Sequence, residues 1–270
     1  MNRESIIFEQ RYLFYTLIGI TFLFLLANLL DQEKYPLTEN WHFTDVPYFV
    51  LPAIGIILGS ILSVMYRGKG NHGKAWIILT LAIASWYVGE LTYVYYNDYD
   101  IEDLSTFTSD FFYIGGYPLF FVFGVYYLKA RKNVISKKMI LCATIVSLSL
   151  VIPSLYILFA LGKELDTLEC IITASYPILD GFVLAPVLVG IMLFFRGQVN
   201  LLWTLAFFAI LCLVIGDTLY LGSYIDDSYY PGHVSDMFFQ WFYTMLLFGF
   251  YSHIKLYKKT SQEIDTLEKQ

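Results

Sequence analysis

No lysine or arginine interrupts the interior of any long apolar run in this chain, although 17 such residues are present. That absence excludes a retinal-type Schiff base, which needs a lysine in mid-helix. It also leaves every buried carboxyl group without an intramembrane cation to pair with. Charged residues make up only 15% of the 270 residues and hydrophobic ones 57%. Such a composition leaves no room for a large water-soluble catalytic domain. Cysteine is scarce too. Cys142, Cys170 and Cys212 fall in or at the ends of different apolar runs, which excludes a disulfide framework and a thiolate metal site and leaves small packing residues. No nucleotide-binding glycine loop, HExxH, GxSxG or nucleic-acid signature occurs. The expectation is therefore not an enzyme, with no cofactor and no nucleic-acid partner.

What is present is apolar sequence in spanning lengths. Eight runs stand out, at 11–30, 47–66, 75–97, 111–128, 139–161, 170–195, 199–224 and 237–254. About 20 apolar residues cross a bilayer as a helix. The expected fold is all-α, a polytopic integral membrane protein with eight transmembrane helices. Threading the runs alternately sorts the charges. Arg67, Lys69, Lys74, Lys129, Arg131, Lys132, Lys137, Lys138 and Arg196 fall on one side, with Arg3, Arg11, Lys255, Lys258, Lys259 and Lys269 of the termini. Only Lys34 and Lys163 fall on the other, among most of the acids. Basic loops stay in the cytoplasm. The expected location is the cell membrane, multi-pass, with both termini cytoplasmic and the lipid bilayer as first partner. The first run is read as a retained helix, since it is too long for a signal peptide and no small-residue cleavage site follows.

The chain repeats itself. Gly89-Glu90-Leu91-Thr92-Tyr93 is matched by Gly216-Asp217-Thr218-Leu219-Tyr220, and each is followed by an acidic, tyrosine-rich loop. Each loop runs into Ser-Asp plus aromatics, Ser109-Asp110-Phe111-Phe112 and Ser235-Asp236-Met237-Phe238. The offset is 127 residues before the loop and 126 after it. Weaker echoes are Thr44-Asp45-Val46-Pro47-Tyr48 and the Tyr-Pro pairs Tyr117-Pro118 and Tyr176-Pro177. Duplicated helical hairpins are the economical reading. Gly55 and Gly59 form a GxxxG step suited to close helix packing.

Three carboxyl groups lie inside the runs: Glu90, Asp180 and Asp217. An acid at the bilayer centre costs on the order of 3 kcal/mol on insertion scales. Asp180 is the deepest, roughly 15 Å from its helix start at 1.5 Å per residue. Pro177 and Gly181 shape its surroundings. A bond to a freed carbonyl explains Asp180 as well as a proton-linked or ligand-facing role does. Tyr93, Tyr176 and Tyr220 lie near these acids in sequence or register. Together the six are ligand-binding or proton-linked candidates, because carboxylates among tyrosine faces suit a cationic ligand. Most interfacial tyrosines are explained by the aromatic belt. Asp45, Asp110 and Asp236 are read as helix-start residues that satisfy backbone N–H groups. His42 with Asp45 and His233 with Asp236 have a spacing open to a divalent metal, although an interfacial histidine needs no ligand.

After the last run, Tyr257, Ile264 and Leu267 follow heptad-like spacing with charged flanks. The expected organisation is an eight-helix membrane domain at 1–257 and a short cytoplasmic helical tail at 258–270.

The repeated Gly-acid hairpins, the Tyr176-Pro177-Ile178-Leu179-Asp180 motif and the charged exit helix resemble the multi-helix membrane input regions found ahead of diguanylate cyclase and histidine kinase domains. The resemblance covers about residues 11–257 through short motifs. It departs from that pattern in having no output domain before Gln270, as in a free-standing relative or a fragment. It implies a sensor-type or ligand-binding module whose outer acidic-aromatic surface recognises a small molecule. The signal would pass to the C-terminal helix and on to a homodimer or a cytoplasmic partner. A small transporter or channel with duplicated halves is the alternative, and a structural subunit of a membrane complex a third.

Overall fold

The computed structural model describes residues 45–98, 102–161, 165, 167–197, 201–230 and 232–268, with ten single positions between Tyr12 and Ala27. Those ten positions are helical and belong to the first apolar run; the rest of that run, and His42, lie outside the described residues. Seven long helices follow: α1 (Val46–Tyr66), α2 (Gly70–Asp98), α3 (Glu102–Lys129), α4 (Lys137–Leu161), α5 (Thr167–Phe195), α6 (Leu201–Ile225) and α7 (Val234–Glu268). No strand occurs among the described residues. Six of the helices, α1 to α6, are long and apolar enough to cross a membrane. This is a multi-pass membrane protein. The polar Gln240 and His253 dilute the apolar character of α7. Both are buried, so their polarity faces the protein interior.

Six helices close a ring. α1 packs on α2, α2 on α3, α3 on α5, α5 on α6, α6 on α7, and α7 back on α1. α4 lies outside, against α5 and α6. Its outer face exposes Ile140, Leu141, Ile145, Leu148, Ile152 and Phe159, the composition expected of a face turned to lipid. Short connections at Arg67–Lys69, Ala130–Ser136 and Arg196–Gly197 gather the basic residues at one end. Asp226 and Asp227 lie in the described connection at the other.

Aromatic side chains fill the ring. Trp86 of α2 touches Tyr117 and Phe120 of α3 and Phe242 of α7, with ring centroids 5.6–5.9 Å apart. Towards the basic end, Trp76 contacts Phe123, Tyr127, Phe250 and His253. Edge-on pairs of this kind add about 0.5–1.5 kcal/mol each beyond burial.

The two hairpins α2–α3 and α6–α7 close on the same device. At Gly89, a Cβ would stand 2.8–3.1 Å from three atoms of the Tyr113 ring. At Gly216 it would stand 2.8–3.2 Å from three atoms of the Phe239 ring. Each glycine lets the facing aromatic lie against helix backbone. The GxxxG step places Gly59 against Thr80 and Phe250.

Two helix-start readings change. α3 begins at Glu102, so Asp110 lies two turns inside it; the polar stretch Glu102–Ser105 continues the helix beyond the apolar run. Asp45 sits at the start of α1 but makes no side-chain capping bond. α7 runs past residue 257 to Glu268 without a break.

Candidate functional site: acids and tyrosines inside the ring

Glu90 and Asp217 occupy matching places on α2 and α6, and each is held by a tyrosine of the other hairpin. Tyr117 of α3 donates its hydroxyl to Asp217 Oδ2 at 2.7 Å. Tyr243 of α7 donates to Glu90 Oε1 at 3.4 Å. Tyr117 and Tyr243 are separated by the same 126 residues as Asp110 and Asp236. Tyr113 gives Glu90 a second phenol. Tyr117 and Tyr243 are buried, and Glu90 and Asp217 partly so; an unmade bond in a buried place costs about 1–3 kcal/mol.

A second layer lies nearer the acidic end. Tyr176 of α5 donates its hydroxyl to Asp110 Oδ1 of α3. In the matching place, Tyr48 of α1 reaches Asp236 of α7, with its hydroxyl 3.4 Å from the backbone carbonyl. Asp236 also accepts the Gly232 N–H at 2.8 Å and the Tyr229 hydroxyl at 3.2 Å. Burial pushes its carboxyl up to about 6, against the pull of these donors, with Asp45 adding to the rise. Burial likewise holds the Tyr229 phenol above its ordinary range, helped by the charge of Asp236.

Tyr93 and Tyr220 are half exposed at this end. Tyr220 stacks with Tyr224 at 6.3 Å and meets Tyr229 edge-on at 5.0 Å. Tyr93 lies within electrostatic reach of Tyr220, Glu90 and Asp236. Tyr224 donates to Glu169 Oε1 at 2.6 Å. The six ligand-binding candidates thus fall along one column from this acidic mouth into the ring.

Asp180 stands at the column's inner end, only 1% exposed. It approaches Tyr117 and Asp217 within side-chain hydrogen-bonding reach, while its Oδ1 meets no donor. Gly181 beside it abuts Val151 of α4.

Of the metal candidates His42, Asp45, His233 and Asp236, the last three lie among the described residues. His233 Nδ1 lies 2.9 Å from Ser235 Oγ, and Asp236 is occupied by Gly232, Tyr229 and Tyr48. Among the described residues no group of three or more His, Cys, Asp or Glu side chains forms a metal-holding set. The sequence reading missed Tyr113, Tyr117 and Tyr243 as acid partners. The available signal was their spacing: Tyr117 and Tyr243 each follow a Ser-Asp aspartate by seven residues, two turns of helix.

Fold and site define a helical membrane bundle with a carboxyl-tyrosine column enclosed by two similarly packed hairpins. No known family, curated protein or solved structure matches the chain.

Proposed function

We propose that this protein is a membrane-embedded ligand-recognition module of the sensor type. It takes a small organic cation at the acidic mouth and passes the response to the basic end through α7. The reading uses eight spans, with α7 and the first apolar run added to the six apolar helices, and both termini in the cytoplasm. The single observation that carries it is the course of α7. One unbroken helix holds Asp236 at the mouth, Tyr243 in the crossed pair and Tyr257 against Tyr66 at the basic end, with centroids 5.2 Å apart. At 1.5 Å per residue its 35 residues reach about 52 Å, beyond the roughly 30 Å hydrocarbon core. A movement that separates Tyr243 from Glu90 would therefore arrive at the tail as a shift of the same rigid element.

The ligand class follows from the lining. Carboxyls and phenol faces attract ammonium groups, at about 0.5–2 kcal/mol per ring contact. Among the described residues no lysine or arginine lies within the column to compete.

A transporter is the second reading. It is favoured by the matched hairpins, whose Gly89–Tyr113 and Gly216–Phe239 contacts and crossed acid-tyrosine pairs support a duplicated origin.

Tetramethylammonium and methylammonium are suitable probes. The sensor reading expects tetramethylammonium to raise the melting temperature of the protein in nanodiscs, and Asp236→Asn to weaken that rise. Absence of any shift with both amines would remove the recognition site. Uptake of labelled methylammonium into proteoliposomes, undiminished by deletion of residues 258–270, would move the assignment to the transporter.

A further inference from the structure

The two hairpins satisfy their buried acids differently. In the first, Glu90 has two phenols, Tyr113 and Tyr243. In the second, the place of Tyr113 is taken by Phe239, whose ring lies on Gly216 as that of Tyr113 lies on Gly89. Phe239 has no hydroxyl to give. Asp217 therefore has one phenol, Tyr117, and its second neighbour is the carboxyl of Asp180, reaching in from α5. The first half has no such acid. Counting from the matched tyrosines Tyr48 and Tyr176, the residue corresponding to Asp180 is Pro52.

An ionised carboxylate only accepts hydrogen bonds, whereas a protonated one has an O–H to donate. Two ionised carboxylates in contact repel strongly away from water, and one retained proton turns that repulsion into a hydrogen bond. Among the described residues no lysine or arginine lies in the ring interior to relieve them. The titratable groups around the pair are Tyr117 from α3, Tyr176 on α5 and Tyr243 from α7, with Glu90 beyond Tyr243. α4 meets α5 here through Val151 against Gly181, an apolar contact.

We propose that Asp180 and Asp217 form a binding site for one exchangeable proton, with Asp180 donating to Asp217 while Tyr117 holds Asp217 Oδ2. With the proton the pair carries one negative charge; after release towards the acidic mouth it carries two. Asp180 Oδ1 is buried and meets no donor, which leaves this carboxyl short of the hydrogen bonds that its ionised form needs. The site stands on this geometry and not on the sensor reading. It belongs equally to a sensor that responds to pH and to a transporter driven by protons.

The test is infrared difference spectroscopy on the full chain in nanodiscs, with carbon-13 aspartate, swept across neutral pH without sodium. The expected result is a protonated-aspartate carbonyl band that titrates. In the Asp236→Asn background, which removes the titration of the mouth aspartate, the band is kept, and adding Asp180→Asn or Asp217→Asn abolishes it. Phe239→Tyr added to Asp180→Leu supplies the missing phenol. It is expected to recover the melting temperature lost in Asp180→Leu while the band stays absent. A band that survives both substitutions in the Asp236→Asn background, or no titrating aspartate band in that background, overturns the proposal. So does a melting temperature raised by sodium over choline at fixed pH with no such band, because a metal cation would then bridge the pair.

Discussion

The hydroxyl of Tyr117 lies 2.7 Å from Asp217 Oδ2, although α3 and α6 are separated in the ring by α5. The corresponding bond from Tyr243 to Glu90 spans 3.4 Å, outside the usual 2.5–3.0 Å range for such bonds. The shorter bond is the stronger constraint. Tyr117→Phe should lower stability by about 1–3 kcal/mol, the cost of a buried acceptor losing its donor. Tyr243→Phe should cost less, because the longer bond contributes less and Tyr113 remains beside Glu90. Denaturation of both variants in one detergent measures the difference, and equal losses would contradict it.

The glycine contacts make a paired prediction. Gly216→Ala would push a methyl group to 2.8 Å from the Phe239 ring. Overpacking of this kind costs about 1–3 kcal/mol. Gly89→Ala should cost a similar amount against Tyr113. Gly222→Ala on the same helix as Gly216 meets nothing within 4 Å and should stay within about 0.5 kcal/mol of wild type. Melting temperatures of the three variants separate close approach from helix propensity.

Asp236 gives stability a pH dependence at the mouth. Its folded value of about 6 lies above the 3.8 of a free aspartate, so the folded protein binds this proton more tightly than the unfolded chain. The contribution is fully present below pH about 4 and is lost as pH rises through about 6. Asp236→Asn should flatten this part of the profile. A profile unchanged by the substitution would place the titration elsewhere.

Sidedness follows from the charge partition. In a cysteine-free background, a cysteine at Asp227 should react with an impermeant reagent from outside intact cells. A cysteine at Lys132 should react only after permeabilisation. The reverse pattern would invert the topology.

Much of the helical order was legible in the sequence, because apolar length and loop charge are local properties. The run 47–66 became Val46–Tyr66 and the run 139–161 became Lys137–Leu161. Asp110 was misplaced because Glu102–Ser105 reads as loop by polarity, while its backbone continues α3 beyond the apolar segment. Asp180, Glu90 and Asp217 were legible because a buried acid is expensive. Their partners were not, because tyrosines near membrane interfaces read as an aromatic belt. Only ring closure by α7 against α1 brings Tyr243 to Glu90.

The most direct measurement of the central claim is the response of α7 at its far end. Lys258→Cys in the cysteine-free background, carrying an environment-sensitive fluorophore, reports the basic end while tetramethylammonium is titrated at the acidic one. The account predicts a saturable fluorescence change at the amine concentrations that raise the melting temperature, abolished in Tyr243→Phe. Saturable amine binding that leaves the fluorophore at residue 258 unchanged would contradict it.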